Sequence, residues 1–144
     1  MKEISLINGP NLNLLGTREP EIYGTETLEQ VVSRVEQKAE ELGFSLWAFQ
    51  SNSEGELVDV IQAAADRSSA IIINPAAYTH TSIAILDALK ACSFPIIEVH
   101  ISDISKREDF RKHSYVSSVA NEVIAGEGTY GYIRAVELVS ALLS

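Results

Sequence analysis

Apolar and polar positions follow two rhythms along this chain. Five short stretches are dense in β-branched and aliphatic residues: 3–8 (EISLIN), 44–50 (FSLWAFQ), 70–74 (AIIIN), 95–100 (PIIEVH) and 119–125 (VANEVIA). Each predicts a strand. Between the first two, Leu28, Val31, Val32, Val35, Ala39 and Leu42 recur at spacings of three and four, the stripe of one helix face. Thr27 with Gln30 predicts a capping box at its start, and Gly43 predicts its stop. Ser53 with Glu56 opens a second helix carried by Leu57, Val60, Ile61 and Ala64. Residues 82–91 and 129–143 predict two more, with short helical pieces in 106–113. No repeat, low-complexity tract or linker interrupts this order, so residues 1–144 read as one domain.

Strand–helix alternation over this length predicts a parallel sheet covered on both faces, a flavodoxin-like three-layer α/β/α sandwich with five strands. Ligands in such sheets sit beyond the carboxyl ends of the strands. There the first strand leads into Asn8-Gly9-Pro10-Asn11, the second into Gln50-Ser51-Asn52, the third into Asn74-Pro75 and the fourth into His100-Ile101-Ser102. Amides, hydroxyls and an imidazole at four strand ends suit a polar small molecule. Each loop alone is also what an ordinary turn uses.

Composition narrows the classes. With 144 residues, 46% hydrophobic and 22% charged, the chain has the makings of a packed core and does not read as disordered. Its longest unbroken apolar run is four residues, so no membrane span is expected. Lys+Arg 11 against Asp+Glu 20 gives −9, which argues against nucleic acid or an anionic membrane as partner. The single cysteine, Cys92, leaves no internal disulfide and fits a reducing compartment. The opening MKEISLINGP reads as strand rather than leader, and the expected location is the cytoplasm.

Several motifs bear on chemistry. Gly126-Glu127-Gly128-Thr129-Tyr130-Gly131 matches GxGxxG, but a dinucleotide site needs an acidic residue on a further strand about 20 positions on. No such strand follows in the thirteen residues after Gly131, and these glycines are expected to shape a turn and let the last helix pack closely. Residues 16–24, GTREPEIYG, form a segment between two glycines carrying Arg18 and Tyr23. It reads equally as a closing lid with working side chains or as a surface loop with a packed tyrosine. Glu98 and His100, two apart on one strand, share a face. A carboxylate there fixes the imidazole's tautomer and favours its protonated form, the requirement for a general acid. A satisfied interior histidine or a pair of metal ligands fits the same spacing, although no HExxH motif is present and the three histidines, at 80, 100 and 113, are scattered. Lys106, Arg107, Arg111 and Lys112 crowd four cations into seven residues. With Arg18 they give a positive mouth for a carboxylate, or merely a solvated face. No lysine stands at an apolar strand end suited to a Schiff base.

Three of these segments together resemble one family. NGPNLNLLGTREPEIYG at 8–24, NPAAYTHTS at 74–82 and EVHISDISKREDFRKHSY at 98–115 are similar to type II 3-dehydroquinate dehydratases, and the likeness runs essentially the full length. That resemblance implies dehydration of 3-dehydroquinate to 3-dehydroshikimate in shikimate or quinate metabolism, on a flavodoxin-like fold, with no cofactor, metal or lysine adduct. It implies Tyr23 as the base at C2, Arg18 acting beside it on the lid, and Asn11 helping to hold a water that stabilises an enolate. His100 would protonate the departing C1 hydroxyl, oriented by Glu98. Asn74, His80 and Arg111 would bind ring hydroxyls, and Ile101 and Ser102 the carboxylate. The family's dodecamers of four trimers imply a homo-oligomer in which Asp87 reaches a neighbouring site. The sequence departs from the common pattern at Ala76, where glycine is frequent, at Asp103, where asparagine is usual, and at Ser105, where a larger residue is common.

The implied chemistry sets a physical demand. An unperturbed phenol, with a pKa of ~10, is only about 0.1% ionised at pH 7, so a tyrosine base needs a cation beside it. Arg18 is the evident one, with Arg107 or Arg111 in support. Two rival readings fit less well. A phosphorylation-receiver domain needs an aspartate at the end of the third strand, where Asn74 stands, and a flavin-binding module needs a Thr/Ser-rich loop after the first strand.

Overall fold

Alternation along the strands sorts the core into two halves. In the computed structural model, which describes residues 1–144, strands β1 (Lys2–Asn8), β2 (Phe44–Gln50), β3 (Ala70–Asn74), β4 (Ile96–His100) and β5 (Glu122–Ala125) form one parallel sheet in the order β2-β1-β3-β4-β5. Ile4, Leu6, Ile72, Ile97 and Val99 point to one face and are covered by helices α2 (Leu28–Glu41) and α5 (Tyr130–Leu143) through Val31, Val35, Ala135, Val136 and Val139. Ile7, Ile71, Ile73 and Ile96 point to the other, under α3 (Glu54–Arg67) and α4 (Ile83–Lys90), which contribute Leu57, Ile61, Ile85 and Leu89. Each such aliphatic side chain taken out of water contributes on the order of 1.5–3 kcal/mol. The flavodoxin-like α/β/α sandwich is therefore present.

The helix starts follow their caps. Thr27 accepts from the Gln30 amide at 3.2 Å while Gln30 accepts from the Thr27 amide at 2.9 Å, completing the capping box. Ser53 and Ser82 cap α3 and α4 by accepting from the Glu56 and Ile85 amides. Two strands begin later than the pattern predicts. Pro95 has no N–H for the ladder, so β4 starts at Ile96. The fifth strand starts at Glu122 rather than 119 because Val116–Ser118 make a 3-10 turn and the Asn121 side chain accepts from the Ile96 amide at 2.8 Å, taking a ladder bond. The 106–113 segment is helical only as two 3-10 turns, Ile104–Lys106 and Asp109–Arg111. The loop after β1 also contains a single helical turn, α1 (Pro20–Tyr23), started by a proline at its first position.

The GxGxxG segment is structural. Gly126 and Gly128 hold positive φ angles of 81° and 62°, and their amides donate to the Ser102 and Ile101 carbonyls at 3.2 and 3.1 Å. A Cβ on Gly131 would lie 3.1 Å from Ile124, so its absence lets α5 approach the sheet.

The order of strands opens a crevice. Chain leaving β1 passes to α2 on one face, and chain leaving β3 passes to α4 on the other, so the two loops diverge. Beneath them the wholly buried Tyr132 donates its hydroxyl to Asn8 Oδ1 at 2.7 Å and accepts from Asn74 Nδ2 at 2.9 Å. Burial pushes this phenol far above its usual range, so it remains a neutral donor. Tyr132→Phe removes the bridge and leaves two buried carboxamides short of a partner. Urea unfolding is expected to show a loss of about 1–3 kcal/mol, and an unchanged midpoint would mean the bridge is not holding these strand ends.

Candidate active site

Above that bridge lies a cleft bounded by the loops after β1, β3 and β4. Pro10, Asn11, Leu12, Leu15, Arg18 and Tyr23 come from the first, Asn74, Ala76, Ala77 and His80 from the second, and His100, Ile101, Ser102, Ile104, Arg107 and Arg111 from the third. Ten of the eleven residues the sequence singles out thus line it or, like Glu98, sit directly behind it. Asp87 does not: it is exposed on α4. The end of β2 does not line the cleft either, and props the first loop instead, with Asn52 Oδ1 accepting from the Asn11 amide at 2.9 Å and Gln50 Nε2 donating to the Gly9 carbonyl at 3.1 Å. Gly9 permits the loops after β1 and β3 to touch, since a Cβ there would stand 2.4 Å from the Pro75 carbonyl oxygen.

Glu98 and His100 form the back of the site. Glu98 is entirely shielded from solvent and His100 nearly so. His100 Nε2 bonds Glu98 Oε2, which also accepts from Ser114 Oγ at 2.8 Å and has Thr79 Oγ1 3.2 Å away, itself 2.5 Å from Ser114 Oγ, while Oε1 accepts from Ser117 Oγ at 2.6 Å. Burial pushes the Glu98 carboxyl up, but the hydrogen bond and charge of His100, with the Ser117 and Ser114 hydroxyls, outweigh it and hold the group below the usual carboxylate range. A carboxylate so held orients the imidazole and keeps its Nε2 proton in place.

The second imidazole is set the opposite way. His80 Nδ1 donates to the His113 carbonyl at 2.7 Å. Burial pushes this imidazole down; the His113 carbonyl opposes that, and the charges of His100, Arg111 and Arg107 add to it. Neutral His80 with its proton on Nδ1 leaves Nε2 as an acceptor. Its turn, Ala76–His80, is entered through Ala76 at φ 53°, in the left-handed region that favours glycine, at a cost of about 1–2 kcal/mol. Asn74 is committed inward, to Tyr132 and, through Oδ1, to the Ala76 amide at 3.0 Å.

The same cleft is lined by Tyr23, on α1 between Gly16 and Gly24, both at positive φ. Arg107 Nη1 donates to Tyr23 Oη and to Ser102 Oγ, each at 3.1 Å, whereas the Arg18 guanidinium lies over the ring, 5.1 Å from its centroid, and pairs with Glu19 at 3.2 Å. The phenol's hydrogen bond therefore comes from Arg107, the residue given only a supporting part by sequence. Arg111 lines the rim with its Nε 3.3 Å from Glu108. Asp103 and Ser105 satisfy each other: Asp103 accepts from the Ser105 hydroxyl at 2.6 Å and amide at 3.0 Å, bonds that hold its carboxyl below the usual range and keep it in its own turn.

Sequence reasoning missed Thr79, Ser114, Ser117 and Tyr132. The signal for the serines was the HSYVSS run, where positions 114 and 117 are three apart: Ser117 lies in the 3-10 turn Val116–Ser118 and its amide donates to Ser114 Oγ at 3.3 Å, so both hydroxyls face Glu98.

The family model described as dehydroquinase class II matches residues 2–140. The chain is 57% identical over 139 residues to a 3-dehydroquinate dehydratase of Cereibacter sphaeroides, covering 96% of this chain and 95% of that one. It is 58% identical over 139 residues to a catabolic 3-dehydroquinase of Emericella nidulans, covering 96% and 91%. The crystal structure of a type II dehydroquinase from Propionibacterium acnes superposes with a TM-score of 0.94 at 45% identity, over 98% of this chain and 97% of that one. A 3-dehydroquinate dehydratase-like protein from Bifidobacterium longum matches more loosely, at 0.77 and 32%, over 100% and 99%.

The two shifted groups act on stability in one direction. His80 lies below its unfolded value of 6.5 and Glu98 below 4.5, so folding binds fewer protons and each contribution is complete above its unfolded value. The urea midpoint is expected to fall as pH drops from 6.5, through His80, and further below 4.5, through Glu98 together with Glu26, Asp103 and Glu108, which are also lowered. Glu98→Gln should flatten the slope below pH 4.5. An unaltered slope there would contradict an ionised Glu98.

Proposed function

The chain belongs to the dehydroquinase class II family and is a lyase of shikimate/quinate metabolism that dehydrates 3-dehydroquinate; we propose that it does so by anti elimination through an enolate, with Tyr23 as base and His100 as general acid. The observation that carries this reading is the pairing, across one cleft, of a phenol held by a guanidinium with an imidazole held by a buried carboxylate. The guanidinium donates to the phenol oxygen that would receive the proton, and the carboxylate on Nε2 orients the imidazole that would give one.

In the first step the Tyr23 oxygen takes the proton from C2, and the C–H pair moves to make the enolate with charge on the C3 oxygen. A water held with Asn11 would meet that charge. In the second step the enolate collapses, the C1–O bond breaks, and the remaining ring nitrogen of His100 gives its proton to the departing hydroxyl, releasing water and the conjugated enone. Tyr23 then loses a proton and His100 regains one. Neutral His80 would accept from a ring hydroxyl at Nε2, with Arg111 and the Asn74 loop beside it. The carboxylate would meet Ser102, Ile101 and the arginines. The Gly128 bond to the Ile101 carbonyl supports this, since in a trans peptide the Ser102 N–H points the other way. Arg18, on the ring face, would act as the second cation beside the base. The segment 16–24 would close as a lid about its positive-φ glycines.

The resemblance implies a trimer in which Asp87, exposed on α4 and away from its own cleft, would complete a neighbouring site, with four trimers making a dodecamer. The unpaired Cys92 is in keeping with a cytoplasmic home. No helix is long and apolar enough to cross a membrane.

An absorbance assay with 3-dehydroquinate, following the enone, is the test. The parent should turn over and Tyr23→Phe should fall by about 10²–10⁴. Equal rates would remove Tyr23 from its role, and a folded parent with no turnover would remove the reaction. Arg107→Ala should lose more in kcat than Arg18→Ala, by about tenfold or more, because only Arg107 bonds the phenol oxygen; the reverse order would return that part to Arg18. Asn11→Ala should lower kcat more than it raises KM.

A further inference from the structure

A buried carboxylate with one histidine partner has acceptor positions to spare, and the chain fills them from two segments far apart in sequence. Thr79 comes from the turn after β3. Ser114 and Ser117 come from the stretch 113–117, which runs beside that turn and is fastened to it by the Tyr115 amide on the Thr79 carbonyl at 2.8 Å and by the His113 carbonyl on His80. Ser114 and Ser117 therefore donate to Glu98, Thr79 backs Ser114 with its hydroxyl 2.5 Å from the Ser114 Oγ, and Ser117 is the only side chain bonded to Oε1. None of the three lines the cleft.

We propose that Thr79, Ser114 and Ser117 are positioning residues for the dehydration: their hydroxyls hold Glu98 as a carboxylate aligned on His100, so that the imidazole stays turned to deliver its proton. The inference rests on His100 being the general acid. Without these donors the same burial favours a neutral Glu98, and a neutral carboxyl no longer stabilises an imidazolium. The other charged groups around the pair are constant in such a change. β4 supplies His100 itself, the turn after β3 supplies His80, and the stretch after β4 supplies Arg107 and Arg111, both acting on His80. The neighbouring strands place Ile73 and Val123 in register with Glu98, with no charge. The stretch 113–117 thus sets both imidazoles, His80 as acceptor through a carbonyl and His100 as donor through two hydroxyls.

The test uses Ser117→Ala, Ser114→Ala, their double variant, and Ser117→Thr as the conservative control. The Glu98 carboxyl is titrated by 13C NMR, its signal assigned with Glu98→Gln, and kcat and KM for 3-dehydroquinate are measured across the same pH range. The expected result is an upward move of the Glu98 midpoint, by about one pH unit in the double variant, with a matching upward move of the acidic limb of kcat, little change in KM, and recovery in Ser117→Thr. An unmoved midpoint in a folded double variant overturns the inference. So does a fall in kcat that is uniform across pH, which is the mark of loosened packing alone. The NMR midpoint needs no turnover. A shifted midpoint in a protein inert toward 3-dehydroquinate therefore refutes the reaction and, with it, the positioning role, whereas an unshifted midpoint in an active enzyme refutes the positioning role alone.

Discussion

A negative charge out of reach of water must be surrounded by donors and an opposite charge, and in this fold that constraint falls on Glu98. Removing one partner from such a buried pair typically costs about 3–5 kcal/mol. The strand that carries Glu98 lies between two others and offers it no solvent, so the loops must supply the partners. His100 supplies the charge from the same strand face. Thr79, Ser114 and Ser117 supply hydroxyls, which requires the turn after β3 and the stretch before β5 to run together. That union also puts the His113 carbonyl on His80. One buried charge therefore organises two loops and sets two imidazoles in different hydrogen-bonding states.

Around Tyr23 the charge pattern is reversed. The chain carries −9 overall, yet Arg18, Arg107 and Arg111 line one cleft. Two of them act on Tyr23, one at its oxygen and one at its ring face. Arg107 also bonds Ser102, linking Tyr23 to the loop that follows the strand of His100. Tyr23 is thus bonded by a guanidinium and His100 by a carboxylate, and both line the crevice that opens between β1 and β3.

Much of this was legible because the relevant signals are local. Strand alternation, the Thr27–Gln30 box, the turn made by Gly126 and Gly128, and the shared face of Glu98 and His100 all lie within a few residues of one another. What sequence left unseen depends on segments brought together by the fold. The hydroxyls around Glu98 come from 16 to 19 positions away, and Tyr132 reaches Asn8 across 124. Arg107 reaches Tyr23 across 84, whereas Arg18 stood out by proximity in sequence. Asn121 shortened the fifth strand because its side chain, not its position in the apolar pattern, decides a ladder bond. The three departures from the common pattern also became readable only in three dimensions: Ala76 occupies a backbone conformation suited to glycine, and Asp103 and Ser105 bond each other.

The central claim is that proton removal and hydroxyl departure occur on opposite faces of the ring, driven by two groups that line one cleft. The direct measurement is the turnover of 3-dehydroquinate carrying a single deuterium at C2 in known configuration, with the product analysed by mass spectrometry. The account predicts loss of the deuterium when it lies on the face opposite the departing C1 hydroxyl, and its retention when it lies on the same face. Loss from the same face would contradict the arrangement of Tyr23 and His100 as base and acid.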